Sequence, residues 1–353
     1  MTVTIRDVAR EAEVSVATVS RVLNGKGPAH HETERRIRRI AKRLRYVPHG
    51  AARSLITRRT NTFGVLLPDL YGEFFSEVIR GIDLCARRGG FHLVVSSSHS
   101  DRAETESMIR AMRGRVDGMI VLSPEERPPD LDSNLPKDFP AVLLNSAPLR
   151  GYDTIDIDNF GGAAGMARHL YGLGHRRIAF VCGPAGNRDA SERLRGYRTA
   201  MRTLPGSEIL EIPGDFGETA GYDACEKILK LRRRPTAIFA ANDSMAIGLL
   251  CAFREADFLV PEDFAIAGFD DIPIARYVTP PLTTVRVPIA GLGERATRLL
   301  FEAVAGGAGR RRRTDVLPTA LIVRESCGAA PARSSRSSSG SDSGSSSKKL
   351  RHA

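Results

Sequence analysis

The 353-residue chain contains no tryptophan, and only 6% of its residues are aromatic. Its five cysteines (Cys85, Cys182, Cys225, Cys251 and Cys327) are scattered, mostly in apolar surroundings, and no two have C-x-x-C spacing. That argues against a zinc or disulfide framework and reads as reduced core thiols of a cytosolic protein. No stretch is apolar for the length that a membrane helix needs, so no span is expected. The first residues, MTVTIRDVAR, lack the apolar segment that directs export. Catalytic motifs are equally scarce, with no G-x-S-x-G and no P-loop. Gly291-Leu292-Gly293-Glu294-Arg295-Ala296 matches G-x-G-x-x-A, but Pro288 stands where a leading strand should end. Glu302, which follows, lies in the same helix rather than at a strand end. His169 and His175 are poorly spaced for a metal. These absences argue against an enzyme, and no cofactor or metal is expected.

What the chain has is unevenly distributed charge. The formal net charge is +11. Residues 1–60 hold 14 Lys/Arg against 5 Asp/Glu, and the tail from residue 328 holds 5 against 1, which leaves the middle at −2. A basic head on a nearly neutral body is the electrostatic footprint of a nucleic-acid reader.

The head supplies the matching motif. Val19, Val22 and Leu23 recur at helical spacing after Ser15, a good N-cap, while Val16, Ala17, Ser20 and Arg21 face the other way. Upstream, Thr4-Ile5-Arg6-Asp7 has the spacing of a capping box. It opens a helix to about Glu11 whose apolar stripe is Ile5, Val8, Ala9 and Ala12. The tight Ala12-Glu13-Val14 turn between them predicts a helix-turn-helix whose second helix enters a major groove. A third helix is expected over about Glu32–Leu44. It has Ile37, Ile40, Ala41 and Leu44 inside, and Arg35, Arg36, Arg38, Arg39, Lys42 and Arg43 outside for phosphates.

From Phe63 the pattern becomes alternating strand and helix. Strands are expected at Phe63–Leu67, Phe91–Val95, Asp117–Leu122, Ala141–Leu144 and Thr154–Ile157, with helices at Phe74–Arg88 and Asp101–Arg113. The alternation then restarts, with helices at Gly161–Gly172, Glu192–Leu204, Thr219–Leu231 and Ser244–Ala256. Strands in this series fall at Ile178–Val181, near Ile209, at Ala237–Ala240 and at Ala265–Phe269. Two such series predict a two-lobed α/β body of two doubly wound parallel sheets behind an all-α head. Ligands are expected at the carboxyl ends of the strands, in a cleft. Ten of the last 23 residues are serine, so 328–353 is expected to be a disordered tail without heptads.

Residues 4–55 resemble the DNA-binding head of the lactose/galactose/purine repressor family. The resemblance lies in TIRDVAREAEVSVATVSRVLNG, ETERRIRRIAKRLRYVP and AARSL. The body matches too, in IDNFGGAAGMARHLYGLGHRRIAFVCGP, RLRGY, FAANDSMAIGLL, VPEDFAIAGFDD and ARYVTPPLTTVRVP, so that residues 2–327 are covered. In the recognition helix and in the FDD…PPLTTV segment the chain resembles the galactose-type members most. The resemblance implies a helix-turn-helix domain at 1–48, a hinge helix and linker at 49–60, and a periplasmic-binding-protein-like effector and dimerisation body at 61–327. Lobe 1 would take about 61–158 and 289–317, and lobe 2 about 159–288 and 318–327.

It also implies a homodimer on a near-palindromic double-stranded operator, with a small-molecule effector, favoured here as a sugar. A nucleobase, a protein corepressor, or a cytosolic solute-binding module without a regulatory DNA role are the alternatives. Val16, Ala17 and Arg21 would read bases, Arg21 by a bidentate pair with guanine. Ser15, Thr18 and Asn24 would position phosphates, with Thr4 and Ser20 completing that surface. Arg53 and Leu55 belong to the hinge, Leu55 as the minor-groove wedge. Two departures from the family pattern bear on operator affinity: His49 follows the proline where Asn is frequent, and Ala29-His30 precede the third helix in place of Val-Ser. For the effector, the carried-over residues are Phe74, Phe75, Arg193, Phe216, Asn242 and Asp270, with Asn145 and Asp189 in support. One of Phe74 and Phe75 is expected to be core, and Asp243 to cap a helix.

Overall fold

The computed structural model describes residues 3–23, 30–46, 59–99, 101–125, 131–137, 139–306 and 312–329. Asn24, the hinge residues Arg53 and Leu55, His49 and the serine-rich tail beyond residue 329 lie outside the described residues.

Helix α1 (Ile5–Glu11) opens as its capping spacing requires. The Asp7 carboxylate accepts from the Thr4 N–H at 2.9 Å and from its hydroxyl at 2.7 Å. Those bonds hold the Asp7 carboxyl below its ordinary pKa. The chain reverses at Glu13, with φ +52°, into α2 (Val16–Leu23), where Ser15 Oγ accepts the Thr18 N–H at 3.1 Å. Helix α3 (His31–Arg43) follows. His30 stands at its N-cap without a side-chain capping bond. Val8, Ala9, Ala12, Val19, Val22, Ile37, Ile40 and Ala41 form one buried cluster, and a Glu11–Arg43 ion pair joins α1 to α3.

The chain divides into two compact units, the first of which includes the head. One contains Met1–Asp158, Ala185–Glu192 and Val287–Thr319; the other contains Asn159–Pro184, Arg193–Arg286 and Ala320–Ala353. The first holds strands β1 (Thr62–Leu67), β2 (His92–Ser97), β3 (Gly118–Leu122), β4 (Ala141–Leu144) and β5 (Asp153–Ile157). With β11 (Thr314–Leu317) they make a fully parallel sheet of order β11-β5-β4-β3-β1-β2. The continuous apolar runs of β1, β3 and β4 are buried, as strands covered on both faces must be. Helices α4 (Glu73–Arg88), α5 (Arg102–Met112), the short α6 (Leu131–Asn134) and α11 (Ile289–Gly306) complete this unit.

The second unit repeats the plan with β6 (Arg177–Val181), β7 (Glu208–Ile212), β8 (Ala237–Ala240), β9 (Ala265–Asp270), β10 (Thr283–Arg286) and β12 (Ala320–Ile322). The order is β12-β10-β9-β8-β6-β7, and only β12 is antiparallel to its neighbour. Its helices are α7 (Asn159–Gly172), α8 (Arg188–Thr203) from Arg193 onward, α9 (Glu218–Leu229) and α10 (Asp243–Glu255). Tyr197 is fully buried, stacked on Phe180 at 4.9 Å, and its hydroxyl donates to the Ile178 carbonyl at 2.7 Å. The doubly wound expectation holds for both sheets. Strands β10, β11 and β12 were not anticipated, because each is only three or four residues long and carries little periodicity.

Close helix packing in both units rests on glycine. A Cβ at Gly81 of α4 would be driven into the Ala290 carbonyl at the start of α11, and Gly221 and Gly248 let α9 and α10 approach in the same way. Gly81→Ala is therefore expected to cost about 2 kcal/mol by overpacking and to lower the thermal midpoint by about 5 °C in calorimetry.

Candidate functional site: a DNA-reading face and two polar strand-end clusters

On α2, burying Val19 and Val22 turns Val16, Ala17 and Arg21 outward. Val16 is 41% exposed. An exposed valine, an alanine and a long cation on a well-packed helix offer apolar contact and a guanidinium fork to base edges. The hydroxyls of Ser15 and Thr18 are 2.9 Å apart, so both side chains also fix the first turn of the helix. Thr4 is bound to Asp7 in the same manner, and Ser20 is half-buried. Along α3 the expected basic face is exposed, but Arg38 is paired with Glu34 at 2.7 Å and Arg43 with Glu11. Arg35, Arg36, Arg39 and Lys42 present the remaining positive charge.

In the second unit, the carboxyl ends of the strands gather around one guanidinium. Arg193 on α8 is 3% exposed. It donates through Nε to Asn159 Oδ1 at 2.8 Å, through Nη1 to the Ala241 carbonyl at 2.7 Å, and through Nη2 to Asp270 Oδ1 at 2.9 Å. Its carbon lies 3.9 Å from the Phe269 ring centroid and 5.6 Å from that of Phe216. Asp270 ends β9 with φ +113°, outside the region comfortable for an L-residue. Burial pushes its carboxyl up to about 6, although Arg193 pulls the other way.

Asn242 belongs to the same cluster as a framework group. Its Oδ1 accepts from the Met245 N–H at 3.0 Å, which makes it the N-cap of α10. Its Nδ2 donates to the Phe216 carbonyl at 2.8 Å and holds the loop that carries that ring. The expected cap, Asp243, is instead fully buried inside α10, accepting from the Thr284 hydroxyl at 2.5 Å and the Ile272 N–H at 2.9 Å. The physical reason is backbone geometry: Asn242 has the extended φ and ψ of an N-cap, and Asp243 is already helical. Burial, and then neighbouring Asp270, raise the Asp243 carboxyl well above the usual range.

In the first unit, Phe74 and Phe75 lie in the first turn of α4 with perpendicular rings 5.6 Å apart. Both are half-buried, so neither is the core residue expected of one of them. Asn145 follows β4 with φ +50°, a conformation that asparagine tolerates, and is fully buried. Its Nδ2 donates to Asp189 Oδ2 at 2.8 Å, in the first turn of α8. Next to it, Arg188 pairs with Asp156 of β5 at 2.7 Å, and its backbone N–H donates to the Pro124 carbonyl at 2.6 Å. Ser123 donates to Glu125 at 2.5 Å.

Sequence reasoning missed Asn159, Phe269, Asp156 and Arg188. Each sits at a strand end or a helix start, which was the only signal available, and none stood in a motif weighed for ligand contact. Among the described residues, no group of His, Cys, Asp and Glu side chains is placed to hold a metal ion, and no helix is long and apolar enough to cross a membrane.

Asp270 gives a pH dependence. The folded chain keeps a proton there up to about 6, whereas the ordinary value is 3.8. Between those values the folded protein holds a proton that the unfolded chain has lost, so this group weakens folding as pH rises through that window. A ligand hydroxyl that donates to the carboxylate needs the deprotonated form. Its affinity should therefore fall as pH drops through about 6, by up to about tenfold per further unit, in calorimetric titrations from about pH 8 to 5.

Known proteins share this arrangement. Residues 4–49 match the family described as bacterial regulatory proteins, lacI family, and residues 167–327 match the periplasmic binding protein-like domain. The chain is 34% identical over 321 residues to the ribose operon repressor of Escherichia coli strain K12, covering 89% of this chain and 97% of that protein. A solved structure of the lac repressor dimer bound to operator and the anti-inducer ONPF is similar with a TM-score of 0.80 at 27% identity. That match covers 93% of this chain and 99% of the other. A LacI family transcriptional regulator from Enterococcus faecium with bound ribose is similar with a TM-score of 0.69 at 29% identity, over 75% of this chain and 98% of the other. With an exposed reading helix on a three-helix head, two strand-end clusters in the body and relatives matched over nearly their whole length, the chain belongs to the lacI family of bacterial regulatory proteins, which are DNA-binding transcriptional repressors and not enzymes.

Proposed function

We propose that this regulator works in the cytoplasm as a homodimeric repressor of a near-palindromic operator, and that a neutral sugar controls its affinity for DNA. The observation that carries the sugar reading is the Arg193–Asp270 pair beside Phe216. A buried carboxylate accepts hydroxyl hydrogens, a guanidinium donates, and an aromatic face takes the apolar side of a pyranose or furanose ring. The Enterococcus faecium protein with bound ribose and the ribose operon repressor support the same class. Asn242, which caps α10 and is bonded to the Phe216 carbonyl, holds the ring loop and keeps one N–H and one lone pair for a proposed effector contact. Phe74, Phe75, Asn145 and Asp189 are the proposed effector contacts of the first unit. Proposed DNA contacts are Thr4, Ser15, Val16, Ala17, Thr18, Ser20, Arg21, Asn24, Arg53 and Leu55. The proposed boundaries are a head at 1–48, a hinge and linker at 49–60, and the effector body at 61–327.

The test combines operator binding with a ligand panel of sugars, sugar phosphates and nucleobases. A neutral sugar should change the dissociation constant for operator DNA in fluorescence anisotropy. A nucleobase acting in its place would overturn the sugar assignment. Arg21→Ala should weaken operator binding by about 10- to 100-fold, the worth of one bidentate guanine contact, and leave the sugar-induced thermal shift intact.

A further inference from the structure

All strands of the first sheet run parallel, so their amino ends form one edge and their carboxyl ends the other. Charge separates along that axis. Carboxylates follow the carboxyl ends: Asp69 after β1, Asp101 after β2, Glu125 after β3 and Asp158 after β5. The amino edge is basic. Arg113 and Arg115 precede β3, Lys137 precedes β4, Arg150 precedes β5, and Arg312 and Arg313 precede β11. Register sets Met119 beside Ala141, Val142 beside Asp153 and Thr154 beside Thr314, so these four neighbouring strands start nearly level. At about 4.8 Å between strands, the row is about 15 Å wide.

The carboxylates at this edge are already engaged. Asp117 accepts the N–H groups of Thr60 and Asn61 at 2.7 and 2.9 Å. The buried Asp153 accepts the Arg313 N–H at 2.8 Å and lies 3.7 Å from Arg312, and Glu302 pairs with Arg313 at 3.2 Å. Arg113, Arg115, Lys137 and Arg150 are exposed, and none forms an ion pair among the described residues. Arg113 ends α5, where the helix dipole favours a cation, but Arg150 stands between two strands, with no helix end to account for it.

We infer that this edge is a second DNA-contacting surface, which binds phosphates of the duplex flanking the sequence held by the head. The inference rests on the DNA-binding role of the head and extends the contact to the body. Chain connectivity selects DNA among polyanions. The chain enters β1 at this same edge, where Asp117 holds Thr60 and Asn61. The described part of the head ends at Tyr46 and the chain resumes at Arg59, a stretch that reaches at most about 45 Å when fully extended. A head bound to its sequence therefore keeps the edge close to the same duplex, at high effective concentration. Exposed guanidinium and ammonium groups gain there by releasing counterions from phosphates, and they read no bases.

The experiment uses full-length protein and the sequence it selects from a random duplex library. That sequence is prepared as a minimal duplex of about 20 bp, enough for two half-sites, and centred in one of about 50 bp. Dissociation constants are measured by fluorescence anisotropy between about 50 and 200 mM salt. The wild type should bind the long duplex about tenfold more tightly at the lowest salt. Its log-log salt slope should be steeper there by about 0.9 for each added phosphate contact. The triple variant Arg113→Gln, Arg115→Gln, Arg150→Gln should lose that advantage and the added slope, with affinity for the minimal duplex unchanged. The matching triple Lys variant keeps the charge and should behave as wild type, which separates a phosphate contact from a structural role and remains informative should the Gln variant fail to fold. Equal wild-type affinity for the two lengths would overturn the edge contact, as would a flank advantage that survives the Gln substitutions. Either result leaves the head's reading of its sequence standing. If the library yields no preferred sequence, the DNA-reading role of the head and the edge contact both fall.

Discussion

Every N–H of a buried guanidinium needs an acceptor, and the second unit is built around meeting that demand for Arg193. Its acceptors come from Asn159 at the start of α7, Ala241 just after β8 and Asp270 at the end of β9. Three separate segments are thus fixed against one side chain from α8. The strained φ of Asp270 persists because Arg193 on one side and the turn through Asp271 on the other leave it no alternative. Asp271 is itself held by Arg286 and Arg324, each at 2.6 Å. The buried Asp243 in turn ties α10 to β10 and to the Ile272 turn. Removing Arg193 would leave Asp270 as an uncompensated buried charge, so its consequence reaches well beyond one lost contact.

The head works on a different principle. Its eight-residue cluster is small, and the Glu11–Arg43 ion pair ties α1 to α3 beside it. What the head presents to DNA is defined by which side of α2 that cluster buries. With Val16 and Ala17 outward and Arg21 the one long cation of α2, the proposed direct reading would be concentrated in a single fork. The phosphate contacts proposed for α3 would supply affinity and register but little sequence information.

Much of this was legible in the sequence, because periodicity and capping are local. The Thr4–Asp7 and Ser15–Thr18 caps, the α2 stripe and the parallel alternation of the body all follow from residues a few positions apart. What was not legible depends on contacts across long separations. Asn242 and Asp243 are adjacent and both can cap, and only the tertiary partners, Phe216 for one and Thr284 for the other, decide between them. Phe74 and Phe75 both stay half-buried, which helical spacing alone does not reveal. Asn145 and Arg188 stand out only because the folded chain buries an atom of each without a partner.

If sugar and operator act on one conformational equilibrium, their influence on each other is reciprocal by thermodynamic necessity. The most direct measurement is the sugar's dissociation constant on the free protein and on the protein saturated with operator DNA. The account predicts that it changes by the same factor by which the sugar changes operator affinity, on the order of 5- to 150-fold. A sugar that binds the free and the operator-bound protein equally tightly would contradict it.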